Sequence, residues 1–186
     1  METIKETLNV WARSEWLYYY YSKLKTTLQP YIDDTFESNQ IVENLWLGSI
    51  TSSCNREALH ENGIEMIISA ILGSSAQYPY DFNYERAKLR DLDDEDILTD
   101  IYRLIPIIHA ELMQKRGVLV HCILGRSRSA SICIAYLIKY HDMTMEEALA
   151  FVKSKRTQVS PNPGYLKQLK QFEIEVHGER DSKKNV

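Results

Sequence analysis

The chemistry in this 186-residue chain is concentrated in one stretch, GVLVHCILGRSRSASICIAYLI, residues 117–138. Residues 117–120 are an apolar run that reads as a buried strand and leads straight into His121 and Cys122. After a tight loop, residues 129–140 are apolar nearly all round, as a helix in the middle of a domain would be. A strand–loop–helix of this kind gathers the backbone amides of Ile123, Leu124, Gly125, Arg126, Ser127 and Arg128 around one point. The positive end of the helix dipole adds to them, which makes an anion site. Gly125 permits the positive φ or close backbone approach that such a loop needs. Arg128 offers a planar fork that matches two phosphate oxygens. A thiol at the base of the same cup is acidified by the helix N-terminus, the loop dipoles and Arg128. Cys122 is then both a nucleophile and the neighbour of the bound anion, so the expected chemistry is phosphoryl transfer through a cysteinyl-phosphate. Cys-x5-Arg alone is a weak pattern. With the His before it, the Gly three after it and the Ser beyond the Arg, at roughly one in twenty per fixed residue, a chance match falls to order 10⁻⁴.

Those residues need a scaffold, and the rest of the chain has the pattern of one. Residues 41–42 and 45–48 read as a strand pair with a turn, EMIISA at 65–70 as a buried strand, and 84–89 as a further strand before the acidic loop DLDDED. Ile97, Ile101, Leu104, Ile105, Ile108 and Leu112 share a face, so 97–115 is the clearest amphipathic helix. Ser52 or Ser53 would cap a helix through His60 that Asn62 and Gly63 end. Thr144 and Glu147 form a capping box for a helix to about Arg156, and Asn162 with Pro163 starts a last helix to about Val176. Near the N-terminus, Leu17, Tyr20, Tyr21, Leu24 and Leu28 recur at helical steps, which predicts a helix over 6–28 closed by Pro30. Strands alternating with helices mean an α/β fold with a mainly parallel sheet. The expected organisation is an N-terminal helical extension and polar linker at 1–40, one catalytic domain at 41–176, and a disordered tail at 177–186.

Composition excludes several other classes. Hydrophobic residues make up 44% and charged residues 26%, and with only 7 Gly and 5 Pro the chain is neither collagen-like nor low-complexity. No apolar run reaches the roughly 18 residues of a transmembrane helix. The opening METIKETLNVWARSEW has no continuous apolar core, so no secretory signal is expected. Cys54, Cys122 and Cys133 are too few, and odd in number, for a disulfide framework, which points to reduced thiols and a cytoplasmic or nuclear location. A net charge of −4 argues against general nucleic-acid binding.

HCILGRSRSA resembles the signature loop of the cysteine-dependent protein tyrosine phosphatase superfamily, and more narrowly of its small dual-specificity branch. NLWLGS, YERAKLRD and PNPGYLKQLKQFE are similar to that branch as well. The resemblance spans about residues 41–175 and leaves the first forty outside it. It implies a central five-stranded, mostly parallel sheet flanked by helices, a shallow active site, no metal and no cofactor. The implied activity is hydrolysis of phosphotyrosine and phosphoserine or phosphothreonine, with phosphorylated proteins as partners. The family's acid is an aspartate on a mobile loop ahead of the cysteine, and Asp91, 31 residues before Cys122, stands in that place. Asp93, Asp94 and Asp96 compete with it, and spacing leaves a shift of two open. Crowded carboxylates would raise one another's pKa and help an acid hold its proton. The resemblance further implies that Ser129 donates to the sulfur, that His121 orients the loop from behind and that Asn162 braces it.

Two rivals share this loop design: a phosphatase for phosphoinositides or RNA 5′ ends, and an adaptor that docks phosphoproteins without turnover. Arg126 departs from the small or apolar residue that many family members carry there. It either widens the positive potential at the mouth or pairs with the acidic loop. Ser69 stands where the family often has asparagine. Cys133 reads as core packing and Cys54 as a plain cysteine, with pairing to the catalytic thiol as the sharper alternative. His60, His109, His141 and His177 lack metal-ligand spacing. The aromatic N-terminal helix, with Trp11, Trp16 and Tyr18 to Tyr21, is expected to pack on the domain, with partner binding or self-association as the alternative.

Overall fold

The computed structural model describes residues 14–33 and 35–184. Its centre is a five-stranded sheet in the order β1-β2-β5-β3-β4. Strands β1 (Ser38–Val42) and β2 (Leu45–Gly48) form an antiparallel pair that turns at Asn44, whose φ of 62° is a left-handed value that Asn tolerates. Strands β3 (Ile64–Ala70), β4 (Asn83–Ala87) and β5 (Gly117–His121) run parallel to one another, and β5 is also parallel to β2. The sheet is covered on both faces, so its inner strands are apolar on both sides rather than alternating. Val118 and Val120 of β5 enter the larger core cluster, and Leu119 between them enters a smaller one with Leu59 and Phe82.

Helix α4 (Arg128–Tyr140) is buried from Arg128 to Ile138, because it lies between the sheet and helices α3 (Leu98–Met113), α5 (Met145–Lys155) and α6 (Pro163–Lys184). The capping box of Thr144 and Glu147 is present at the start of α5. Asn162 Oδ1 accepts from the Tyr165 amide at 2.8 Å and so opens α6 ahead of Pro163. On the opposite face lies the short helix α2 (Arg56–Glu61), which brings Leu59 into the smaller cluster. Among the described residues, no helix is long and apolar enough to cross a membrane.

Several expectations need correction. Residues 52–54 form a single 3₁₀ turn, and the cap of α2 is Asn55, whose Oδ1 accepts from the Ala58 amide at 2.8 Å. An asparagine next to the first helical residue outcompetes serines farther upstream. Strand β1 begins at Ser38, inside the span read as linker, because pairing with Trp46 to Gly48 recruits polar residues into the ladder. The backbone stays helical past Val176 to Lys184 where a disordered tail was expected; Gly178 alone is a weak breaker and no proline follows it.

Helix α1 (Glu15–Ile32) differs most. Residues 6–13, including Trp11, lie outside the described residues. Pro30 sits within the helix instead of closing it. Proline has no N–H for the carbonyl four residues back, and that carbonyl, on Thr26, accepts from Gln77 Nε2 at 2.5 Å instead. The helix lies on the domain, but by its polar side. Ser22, Thr26 and Gln29 are buried, whereas Trp16 is 66% and Leu24 61% exposed. Two hydrogen bonds reach it from the domain, from Gln77 Nε2 to the Thr26 carbonyl and from Arg128 Nη1 to the Tyr18 hydroxyl.

Candidate active site

Strand β5 delivers Cys122 and helix α4 begins at Arg128, so the loop between them closes on itself at the C-terminal edge of the parallel strands, where open α/β sheets place their ligands. Gly125 has a φ of 66°, and its amide donates to Cys122 Sγ at 3.2 Å. A Cβ on Gly125 would lie 2.6 Å from the Gly48 carbonyl oxygen, so a side chain is excluded twice over. Behind the loop stands Arg156, a residue sequence reasoning missed. Its guanidinium donates to the Gly125 carbonyl at 3.0 Å, the Leu124 carbonyl at 3.2 Å and Asn39 Oδ1 at 2.9 Å, which ties the loop to β1. An arginine ending α5 carries no local signal of that role, because its partners are remote in sequence.

Cys122 is 1% exposed and lies at the floor of the cup. Burial pushes the thiol up, but the Arg128 charge, the Ser129 hydroxyl and the amides of Ser129 and Arg126 outweigh it and bring it below the ordinary thiol value. Ser129 Oγ donates to Cys122 Sγ at 3.2 Å. Replacing Ser129 with alanine is expected to raise the thiol pKa and so to move the acid limb of the kcat/KM profile to higher pH, because the thiolate is then populated only at higher pH. A stopped pH–rate series on wild type and Ser129→Ala measures it. His121 is buried, and burial, helped by the Arg128 charge, lowers its pKa to about 4, which keeps it a neutral ring behind the loop.

Arg128 is 5% exposed. Its Nη1 donates to the Leu89 carbonyl at 3.4 Å and to the Tyr18 hydroxyl at 2.5 Å. Its Nε makes no hydrogen bond among the described residues and stands 3.6 Å from Asp91 Oδ2. A buried guanidinium N–H without a hydrogen-bond acceptor, beside a thiol of lowered pKa, is a donor suited to an anion.

Asp91 is the aspartate of the acidic loop whose contacts reach the 123–128 loop. Asp91 lines the cleft, and its Oδ1 accepts from Ser127 Oγ at 2.6 Å and Asn162 Nδ2 at 2.9 Å. Asp96 is diverted to the start of α3, where it accepts from the Leu98 amide and the Thr99 hydroxyl; that hydroxyl contact holds its carboxyl below the usual range. The Asp93 backbone packs on Gly164, where a Cβ would meet its carbonyl oxygen at 1.8 Å. Asp91 is therefore held among the donors Ser127 and Asn162 and the Arg128 cation, not in the crowd of carboxylates expected from the sequence. Asn162 braces both loops, since its amide N–H also donates to Ser127 Oγ at 3.1 Å.

The cleft over Cys122 has a volume of about 480 Å³, and Ile123, Leu124, Arg126 and Ser127 line it. Arg126 is exposed and donates to the Gln158 carbonyl at 3.0 Å instead of pairing with the acidic loop. Ser69 is buried beneath, and Cys54 donates its thiol to the Ile50 carbonyl at 3.2 Å. Cys133 is fully buried and burial pushes its thiol far up, as core packing requires. Among the described residues no group of His, Cys, Asp and Glu side chains is arranged to hold a metal ion. Tyr18 also lines the cleft, from α1, a segment that sequence reading left outside the site.

Comparison with known proteins agrees with this geometry. Residues 45–175 match the family described as dual specificity phosphatase, catalytic domain. The chain is 34% identical over 140 residues to dual specificity protein phosphatase 1B of Arabidopsis thaliana, covering 75% of this chain and 84% of that protein. It is also 34% identical over 140 residues to human dual specificity protein phosphatase 14, covering 75% and 70%. A crystal structure of human DUSP28 superposes with a TM-score of 0.73 at 26% identity, covering 76% of this chain and 99% of that one. A mouse putative dual specificity phosphatase complexed with zinc tungstate gives 0.75 at 25%, covering 78% and 92%. A family match across most of the chain, on a fold that builds a thiolate into an anion cup, places this protein in the dual specificity phosphatase family of cysteine-dependent protein phosphatases.

Proposed function

We propose that the protein hydrolyses phosphotyrosine and phosphoserine or phosphothreonine in phosphorylated proteins, with Cys122 as nucleophile, Arg128 as phosphate ligand and Asp91 as general acid. The observation that carries this reading is the placement of a lowered-pKa thiol, an N–H of Arg128 that donates to no acceptor, and the Asp91 carboxylate around one cleft. The substrate phosphate is held by the amides of the 123–128 loop and by Arg128. Cys122 Sγ forms a bond to phosphorus as the bond to the ester oxygen breaks, and Asp91 gives that oxygen its proton. Asp91, now ionised, takes a proton from water as the water oxygen attacks phosphorus and the S–P bond breaks, releasing inorganic phosphate. Ser129 stabilises the departing thiolate in this second step. Ser127 and Asn162 hold Asp91 at its Oδ1, which leaves Oδ2 as the oxygen for proton transfer.

The tungstate complex of the mouse neighbour supports an oxyanion ligand for this cup. The adaptor reading is disfavoured by a Cys122 thiol that Arg128 and Ser129 hold below its ordinary pKa, which phosphopeptide docking alone does not need. A reducing compartment, the cytoplasm or nucleus, suits a chemistry that depends on a free thiolate. Hydrolysis of matched phosphotyrosyl and phosphothreonyl peptides, with a chelator and a thiol reductant present, tests the proposal. Release of phosphate from both is expected. Turnover of neither, with peptide binding intact, would return the protein to the adaptor class.

A further inference from the structure

The phenol of Tyr18 projects from helix α1 to the Arg128 guanidinium, and its ring forms part of the wall of the same cleft as Cys122. A phosphate that takes Arg128 Nη1 as part of its fork meets the Tyr18 hydroxyl on that nitrogen. The phenol accepts from one of the donors that face this cleft. We propose that Tyr18 is a tethered competitor for the phosphate at Arg128, and that substrate binding requires its hydroxyl to leave the guanidinium. This rests on the reading of Arg128 as the phosphate ligand.

Two features make the contact displaceable. The first is chemical: burial pushes the Tyr18 phenol up, so it meets Arg128 as a neutral acceptor, whereas the incoming phosphate is a dianion that can take two charge-assisted hydrogen bonds. The second is the seat of α1. The helix docks through Ser22, Thr26 and Gln29 and keeps Trp16, Tyr20 and Leu24 in solvent, so opening it exposes little apolar surface. A cavity of about 500 Å³, lined by Glu15, Tyr19 and Lys23 of the helix and by Leu72, Gly73 and Ser74, opens beside the place where Tyr19 packs on Gly73. The hydrogen bond from Gln77 to the Thr26 carbonyl fastens the far end of the helix.

The test compares wild type, Tyr18→Phe and Gln77→Ala in two assays: steady-state hydrolysis of an aryl phosphate, and inhibition by inorganic phosphate. Tyr18→Phe keeps the ring and removes the acceptor, so KM and the phosphate inhibition constant are expected to fall together by about three- to tenfold, the worth of one solvent-replaceable hydrogen bond. kcat is expected to change little. Gln77→Ala, remote from the cup, is expected to shift both in the same direction and to have no further effect in the Tyr18→Phe background. Unchanged or raised constants in Tyr18→Phe would overturn the proposal and make the phenol a support for Arg128. Phosphate binding measured by thermal shift on the Cys122→Ser protein, with and without Tyr18→Phe, needs no turnover. A tighter phosphate site there would uphold the competition even if the catalytic reading failed.

Discussion

Cys122→Ser is expected to abolish turnover, with kcat/KM down by at least about 10⁴-fold, while the phosphate cup keeps its ligand. The side chain lies at the floor of a loop whose geometry is set elsewhere: by the positive φ of Gly125, by Arg156 behind it and by Ser127 and Asn162 at its far side. Oxygen is slightly smaller than sulfur, so the substitution disturbs none of those contacts. What it removes is ionisation. Arg128, the Ser129 hydroxyl and the amides of Ser129 and Arg126 bring a thiol below its ordinary value, but a serine hydroxyl starts far too high for the same field to ionise it near neutral pH. Tungstate or inorganic phosphate should still raise the melting temperature of the variant, because the amides and Arg128 remain. Residual activity within tenfold of wild type would exclude Cys122 as the nucleophile.

The second large effect is on the acid. Asp91→Asn is expected to lower kcat by about 10²–10³-fold for phenyl phosphate and for phosphothreonine, whose leaving oxygens need a proton in the transition state. For a nitrophenyl ester, which leaves well without one, the loss should be much smaller. The asparagine carbonyl still accepts from Ser127 and Asn162, so the loop keeps its place and the comparison isolates proton transfer. The sign of the pH effect follows. Asparagine has no proton to give, so a basic limb set by proton donation should vanish in the variant while the acid limb, set by Cys122 and the substrate phosphate, stays. A basic limb retained in Asp91→Asn would move the acid to Asp93 or Asp94.

The site was legible in the sequence wherever its chemistry is local in the chain. Cys122, Arg128, Ser129 and the loop amides between them are consecutive or nearly so, and a strand leading into a loop leading into a helix leaves the backbone little choice about where its N–H groups point. The central helix was legible for the same reason: a run buried on all sides has no polar face to mislead the eye. Thr144 with Glu147, and Asn162 with Pro163, were likewise local signals of helix starts.

What needed the tertiary structure was every contact between distant segments, together with the choice among chemically equal neighbours. Four aspartates stand close together at 91–96, and their order along the chain does not say which one faces the cup. Asp96 was spent on the start of α3 and the Asp93 backbone on Gly164, and only packing assigned them so. Arg156 became the brace because α5 ends behind the loop. Tyr18 entered the cleft because α1 docked with Ser22, Thr26 and Gln29 inward, against its apolar periodicity. Sequence alone therefore determined the candidate nucleophile, the loop of amides around it and the α/β scaffold, which follow from backbone geometry over a short stretch. The candidate acid, the brace behind the loop and the place of Tyr18 beside Arg128 were decided by the tertiary structure, through hydrogen bonds that no stretch of sequence contains.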